Sequence, residues 1–451
     1  MGDLMEENQF PEPSESSFSP AFGTQEKQLE DPYQQTTTPT PAQPATPEFS
    51  TAAVEVPSYT QRRSLGQLLR SDLGFIPVLL TLVLVVLYFT ITSSGVFLSP
   101  ENLSNLLGGQ IGTIGILGLG SILVLLIGEI DLSVASVAVL CSVIMAVLSE
   151  RHGAPAWAAI GAALLAGVII GLINGFFVAV LRVPSFIVTL AGSIGYSGLL
   201  LNLLGGQATL IINNSFINAI AGSAQSFLPD SLGIGLPALA VILYVAGVLY
   251  SYFRRRRMGL RTTTTTQLIV QIAAVVVLAM GAVVVFESFQ GVPYPTALLF
   301  GLIILFWIVL TKTSFGRHVY AVGGNAEAAR RAGINVVGIR IAAFTLCSLL
   351  AAVGGIVLAS RTNSVASQID PTLLLNAIAA AVIGGVSLFG GRGSAWAIVL
   401  GVLIIASLTN GLALLNQGTD VSEMVEGVVL LLAVTADALV RRAQARSASG
   451  R

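Results

Sequence analysis

The chain has 451 residues, of which 54% are hydrophobic and only 10% charged, with a formal net charge of −1. Soluble domains carry about 25% charged residues, and runs such as 75–92 and 159–181 would leave a soluble fold no face for water. The composition excludes a soluble globular domain and requires a polytopic membrane protein; no nucleic-acid partner is expected.

Residues 1–60 stand apart, with nine of the 18 prolines and ten acidic residues against a single lysine. That segment has too little apolar surface to offset ordering entropy, so a disordered cytoplasmic head is expected. It lacks the basic and apolar regions of a secretory signal, so the first span must direct insertion. Residues 61–74 follow as an interfacial helix or a plain linker. Leu65, Leu68, Leu69 and Leu73 fall on one helical face, flanked by Arg63 and Arg70.

A bilayer core takes about 20 apolar residues per helix. That template predicts about twelve spans, near 75–93, 103–127, 132–149, 156–181, 186–204, 235–253, 267–286, 296–311, 341–360, 373–391, 394–415 and 424–440. Together they define an all-α transmembrane domain over 75–440, a polytopic helical bundle, followed by a basic tail over 441–451. Alternate gaps on one side then hold 20 of the 22 basic residues, and only Arg151 and Arg361 fall on the other side. The positive-inside rule places both termini in the cytoplasm of a multi-pass cell-membrane protein. Spans 186–204 and 373–391 are rich in glycine and polar residues, and either could be broken or re-entrant.

Chemistry is sparse. The only lysines, Lys27 after Glu26 and Lys312 after Thr311, cannot complete a phosphate-binding loop, so the chain is expected to lack its own ATP site. Cys141 and Cys347 lie in separate apolar spans and read as buried small hydrophobes. His152 and His318 are isolated on opposite sides, so no metal site, cofactor or catalytic group is expected. The spans carry essentially no ionisable residues in their centres, against the habit of proton-coupled carriers. Sodium coordination by backbone carbonyls stays open.

The inner loop 312–340 is different. Its centre, SFGRHVYAVGGNAEAARRAGIN (314–335), carries the end signals of one short helix. Asn325 is the N-cap. Glu327 and the pair Arg330 and Arg331 match the helix dipole at its two ends, and Gly333 supplies the left-handed residue after the last turn. Gly323 and Gly324 allow a sharp approach, and the small residues Ala326, Ala328, Ala329 and Ala332 permit close docking. So short a helix is marginal alone and must dock on something. It either covers the protein's own inner surface or meets a partner.

That segment resembles the cytoplasmic coupling loop of ribose- and xylose-type sugar permeases, the membrane subunits of bacterial ABC importers in the branched-chain amino acid/ribose permease superfamily. NLSNLL (102–107), IGEIDLSVAS (127–136), VPSFIVTLAG (183–192), AVIGGVSLFGGRGS (381–394) and IIASLTNGL (404–412) match in the same order. The basic FRRRRMGLR (253–261), a further apolar span and GVPYP (291–295) resemble the xylose-type subgroup in particular. The head lies outside the family pattern. The resemblance implies a permease without catalytic residues that works with a cytoplasmic ATP-binding subunit, an extracytoplasmic sugar-binding protein, a second permease copy and membrane lipid. It further implies that Gly316, Gly323, Gly324, Asn325, Glu327, Ala328, Ala329, Arg330 and Gly333 receive the ATPase's push. The implied substrate is a pentose such as xylose.

Among the uncharged amides within the spans, five are candidates for the sugar path: Gln110, Asn174, Asn202, Asn376 and Asn410. Sugars are bound by planar amides, although interhelical bonding is the commoner fate of a membrane asparagine, so one or two of the five are expected to face sugar. Glu129 and Asp131 read as a cap for the helix near Leu132 or as partners of Arg182, ahead of sugar contact. Trp157, Tyr250 and Tyr252 read as interfacial anchors. IGEIDL (127–132) and IGGVSL (383–388) echo one another weakly, as a parallel repeat could. Two functional readings stand beside that of a membrane scaffold or receptor: an ABC sugar-importer permease, and a stand-alone secondary carrier or facilitator that needs no ATPase.

Overall fold

The computed structural model describes residues 76–222, 226–260, 264–429, 431–432 and 435. The head (1–60), the interfacial segment (61–74), the tail (441–451) and the latter part of the last expected span (424–440) lie outside the described residues.

The described chain is almost wholly helical. It runs α1 (Ile76–Thr92), α2 (Pro100–Leu126), α3 (Val134–Glu150), α4 (Ala156–Ala179) and α5 (Ser185–Leu204). Strand β1 (Thr209–Ile211) and one turn of helix, α6 (Ser215–Asn218), follow. Then come α7 (Asp230–Arg257), α8 (Thr265–Glu287), α9 (Tyr294–Lys312), α10 (Ser314–Gly324), α11 (Ala326–Arg331) and α12 (Val336–Thr362). Strand β2 (Ser364–Ala366), α13 (Pro371–Ile383) and α14 (Ala397–Leu414) complete it. Among the described residues, eight helices are long and apolar enough to cross a bilayer: α2, α4, α5, α7, α8, α9, α12 and α14. The first helix, α3 and α13 are shorter apolar helices.

The two doubtful spans resolve differently. Residues 185–204 form one unbroken helix. The stretch 373–391 is helical only to Ile383, because α13 has 13 residues and the chain is irregular from Gly384 to Trp396. Thirteen residues rise only about 20 Å. Within that stretch Val386, Ser387 and Ala395 are buried, whereas Phe389 and Trp396 are exposed.

Helix α2 is the axis of the bundle. From Ile111 to Leu126 every residue but Ile114 is buried. Apolar burial cannot drive helices together in lipid, so close backbone approach must, and the glycines of α2 supply it on several faces. Added methyl groups at Gly112 and Gly115 would strike Pro295 and Leu299 of α9. At Gly118 one would strike Ile398 of α14 and the Ala377 carbonyl of α13, and at Gly120 the Cys347 carbonyl of α12. A second seam joins α4 to α12, where Gly167, Gly171 and Gly175, spaced one turn apart, lie against Ser348, Thr345 and Ile341. Near its start α2 passes through a π-helical turn at Leu106–Gln110.

The connecting segments gather at two ends. One end brings together 127–133, 180–184, 313–335 and 384–396, joined by contacts such as Glu129–Arg340 and Gly391–Leu126. We refer to it as the basic end, since Arg182, Arg317, Arg330, Arg331, Arg340 and Arg392 belong to these segments or open the helix after them. The neutral end carries the antiparallel pairing of β1 with β2 and the bridge between Phe227 and Pro293. Among the described residues its basic side chains are Arg151 and Arg361, the two that the sequence set apart.

Candidate functional site

The loop at the basic end forms two helices, not the single one that its end signals suggest. Thr313 caps α10 by accepting a hydrogen bond from the Gly316 amide, and Phe315, Val319 and Val322 pack inward at helical spacing. Gly316 allows the tight reversal out of α9, since a side chain there would overlap the Leu310 carbonyl. Asn325 then breaks the helix and caps α11, its Oδ1 accepting from the Ala328 amide at 2.9 Å. Gly333, at φ +82°, ends it, and the Ile334 amide donates back to the Ala329 carbonyl.

The pair of glycines before Asn325 has a purpose other than a bend. Gly323 lies flush against the end of α2, where any methyl group would fall on the Leu126 carbonyl and the Gly391 amide. The Gly391 N–H itself donates to Leu126 O at 2.9 Å. Three backbones therefore meet without side chains between them: the end of α2, the end of α10 and the glycine-rich loop before α14. Gly324 faces open space. The Tyr320 hydroxyl donates to the Gly393 carbonyl at 2.9 Å, and burial pushes that hydroxyl's pKa above its usual range. Helix α10 thus touches both α2 and the loop leading into α14.

Helix α11 divides its alanines. Ala329 is buried and Ala326 packs against the core, whereas Ala328 and Ala332 are exposed beside Glu327, Arg330 and Arg331. Glu327 reaches both arginines at 3.3 Å, pairs worth a few tenths of a kcal/mol, about 0.2–0.5 each. The outward surface is made of small and charged residues.

Glu129 takes a partner that spacing did not suggest. It pairs with Arg340 at 3.0 Å, at the start of α12, rather than with Arg182. Asp131 does act as a cap: its Oδ1 accepts from the Ser133 amide at 2.8 Å and the Ser133 hydroxyl at 2.6 Å. Burial pushes the Asp131 carboxyl above the usual carboxylate range, against these hydrogen bonds, and the Cys347 thiol lies beside it. From Ser133 the network continues. Asn174 donates to the Ser133 hydroxyl at 3.1 Å and accepts from Tyr196 at 2.7 Å.

The five amides do not converge. Asn174 is occupied in that network, and Asn410 exchanges two 3.0 Å hydrogen bonds with Asn102, tying α14 to α2. Asn202 is exposed near the end of α5. Asn376 is buried on α13, and Gln110 keeps a buried Oε1 without a partner among the described residues. Beside Gln110, the Arg361 guanidinium lies against Gly109. Arg361 was legible as one of two basic residues on the wrong side of the charge rule, yet that signal was not turned into a site.

Residues 102–434 match the family described as branched-chain amino acid transport system / permease component. The chain is 37% identical over 359 residues to the xylose transport system permease protein of Haemophilus influenzae, covering 80% of this chain and 94% of that one. It is 32% identical over 354 residues to the ribose import permease protein of Escherichia coli, covering 78% and 91%. With the fructose import permease protein of Rhizobium meliloti it shares 29% over 394 residues, covering 87% and 93%. No solved structure matches. The chain belongs to this permease component family, in its xylose-type subgroup.

Proposed function

We propose that this protein is the membrane-spanning subunit of an ATP-driven sugar importer, with a pentose such as xylose as substrate. Family membership and relatives named for xylose, ribose and fructose support the class. One structural observation supports the mode of drive: the side-chain-free junction of Gly323 with Leu126 and Gly391. A loop lever held against backbone transmits displacement, whereas a cushion of side chains would absorb it.

On this reading the basic end faces the cytoplasm, both termini lie there, and the chain crosses the membrane about twelve times. A separate ATP-binding subunit grips the exposed face of α11 around Glu327, Ala328 and Arg330. Its closure rocks α10 and carries the end of α2 and the 384–396 loop with it. This subunit contributes no ATP site of its own. A sugar-binding protein delivers substrate at the neutral end, and a second copy completes the pore within the lipid. Gln110 and Asn376 are the amides best placed to meet sugar, joined by Arg361, since Asn174 and Asn410 are held by protein partners. Glu327→Ala should leave insertion intact, because its exposed ion pairs contribute little, but should uncouple ATP hydrolysis from uptake in proteoliposomes. Xylose uptake that proceeds without any ATPase subunit would instead identify a stand-alone carrier.

A further inference from the structure

Two hollows lie one above the other along the seam between α4 and α12. The first, at the basic end, is a cavity of about 190 Å³ whose lining includes Glu129, Arg182, Arg330 and Arg340. Three arginines and one glutamate thus line one small space. Glu129 pairs with Arg340 and Glu327 reaches Arg330 from outside. No carboxylate lies within ion-pair distance of Arg182 among the described residues, and the Nε of Arg340 is buried without a hydrogen-bond partner. Arg182 also holds a left-handed backbone at φ +58°, a conformation unfavourable for any residue with a Cβ. The second hollow is a groove of about 410 Å³ formed by Ile169, Leu172, Ile173, Phe176, Phe177 and Ile341, with no charged side chain among them. Chain neighbours link the two, because Phe177 precedes Val178 of the cavity and Ile341 follows Arg340.

We propose that these hollows form one binding site for an anionic phospholipid, with its phosphate between Arg182 and Arg340 and an acyl chain in the groove. The combination decides the occupant. Guanidinium groups in a fork geometry match phosphate oxygens. A free anion would have no use for an apolar groove beside the charges, and an acidic side chain of a soluble partner would not reach into one flanked by exposed Ile169, Ile173 and Phe177.

The test is native mass spectrometry of the full-length permease in detergent, titrated with phosphatidylglycerol or with phosphatidylcholine of identical acyl chains. Phosphatidylglycerol should be retained about tenfold more tightly, as expected where basic residues meet an anionic headgroup. Arg182→Gln should bring the two lipids level, and Ile173→Trp, which fills the groove from its exposed side, should weaken both. Equal retention of the two lipids by the wild type overturns the proposal. So does displacement of phosphatidylglycerol by an equal concentration of inorganic phosphate, which would identify a site for free anions. A dimer that takes up no lipid while the monomer does would assign the groove to a second copy instead. Lipid retention is read without transport, so failure here is distinguishable from failure of the importer reading.

Discussion

The two ends of the bundle are closed by different means. At the basic end the main joint is made by backbones in contact, Gly323 against Leu126 and Gly391, with Tyr320 bonded to the Gly393 carbonyl. At the neutral end the joints are made by side chains and a scrap of sheet. Arg151 forks onto the Leu203 and Leu204 carbonyls and the Gln207 amide at 2.6–2.7 Å, Glu150 holds Asn213 and Asn214, and β1 pairs with β2. Backbone joints tolerate no change of volume but lose nothing when the charge around them changes. Side-chain joints show the opposite sensitivity.

The largest effect should come from Gly323→Ala. Its methyl group must force α10 away from α2, an overpacking cost of about 1–3 kcal/mol. That displacement should lower ATP-driven uptake in proteoliposomes by about tenfold, since 1.36 kcal/mol corresponds to a factor of ten in rate. Wild-type uptake by this variant would mean that the junction does not carry the stroke. Arg151→Ala, at the opposite end, should lower thermal stability through the loss of charge-assisted hydrogen bonds at an exposed site, about 1 kcal/mol. Uptake should stay within about twofold of wild type, a change below 0.5 kcal/mol. If Arg151→Ala abolishes uptake at unchanged stability, the neutral end is as much a part of the drive as the basic end.

The smallest effect is a pH dependence confined to the basic end. The Asp131 carboxyl, raised by burial, binds its proton more readily folded than unfolded. Its contribution to stability is therefore complete below the unfolded value of about 3.9 and is lost as pH rises through the higher folded value. Asp131→Asn keeps an oxygen to accept from Ser133 but cannot ionise, so it should flatten that part of the profile. Unfolding midpoints measured from about pH 4 upward would show the difference, and parallel curves for the two proteins would refute it.

How much of this could be read from the chain depends on the range of the interaction. The caps of α11 are local, and Asn325, Glu327 and Gly333 specify it within nine positions. The identity of α10 was also written locally, in Thr313 and in Phe315, Val319 and Val322, but the glycine pair that follows looked like a break and obscured it. The role of Gly323 could not be read locally, because its partners Leu126 and Gly391 lie far away in sequence. Glu129 likewise finds Arg340 rather than the nearer Arg182, since the seam of α4 and α12 brings the start of α12 alongside it. The amides divide in the same way. Composition marks them as polar groups within the membrane, but only packing shows that Asn410 meets Asn102. The length of α13 was blurred because apolar residues continue past Ile383 while the glycines that end the helix are judged by their surroundings.

Helices α7 and α8 pack on each other and expose most of their length, with 6% and 11% of their apolar windows buried. Ile242, Leu243, Val277 and Leu278 on them are each more than 60% exposed. Such a hairpin is held to a degree of oiliness, not to particular residues. Its exposed positions can be exchanged among apolar residues more freely than those of α2, where every residue from Ile111 to Leu126 but Ile114 is buried.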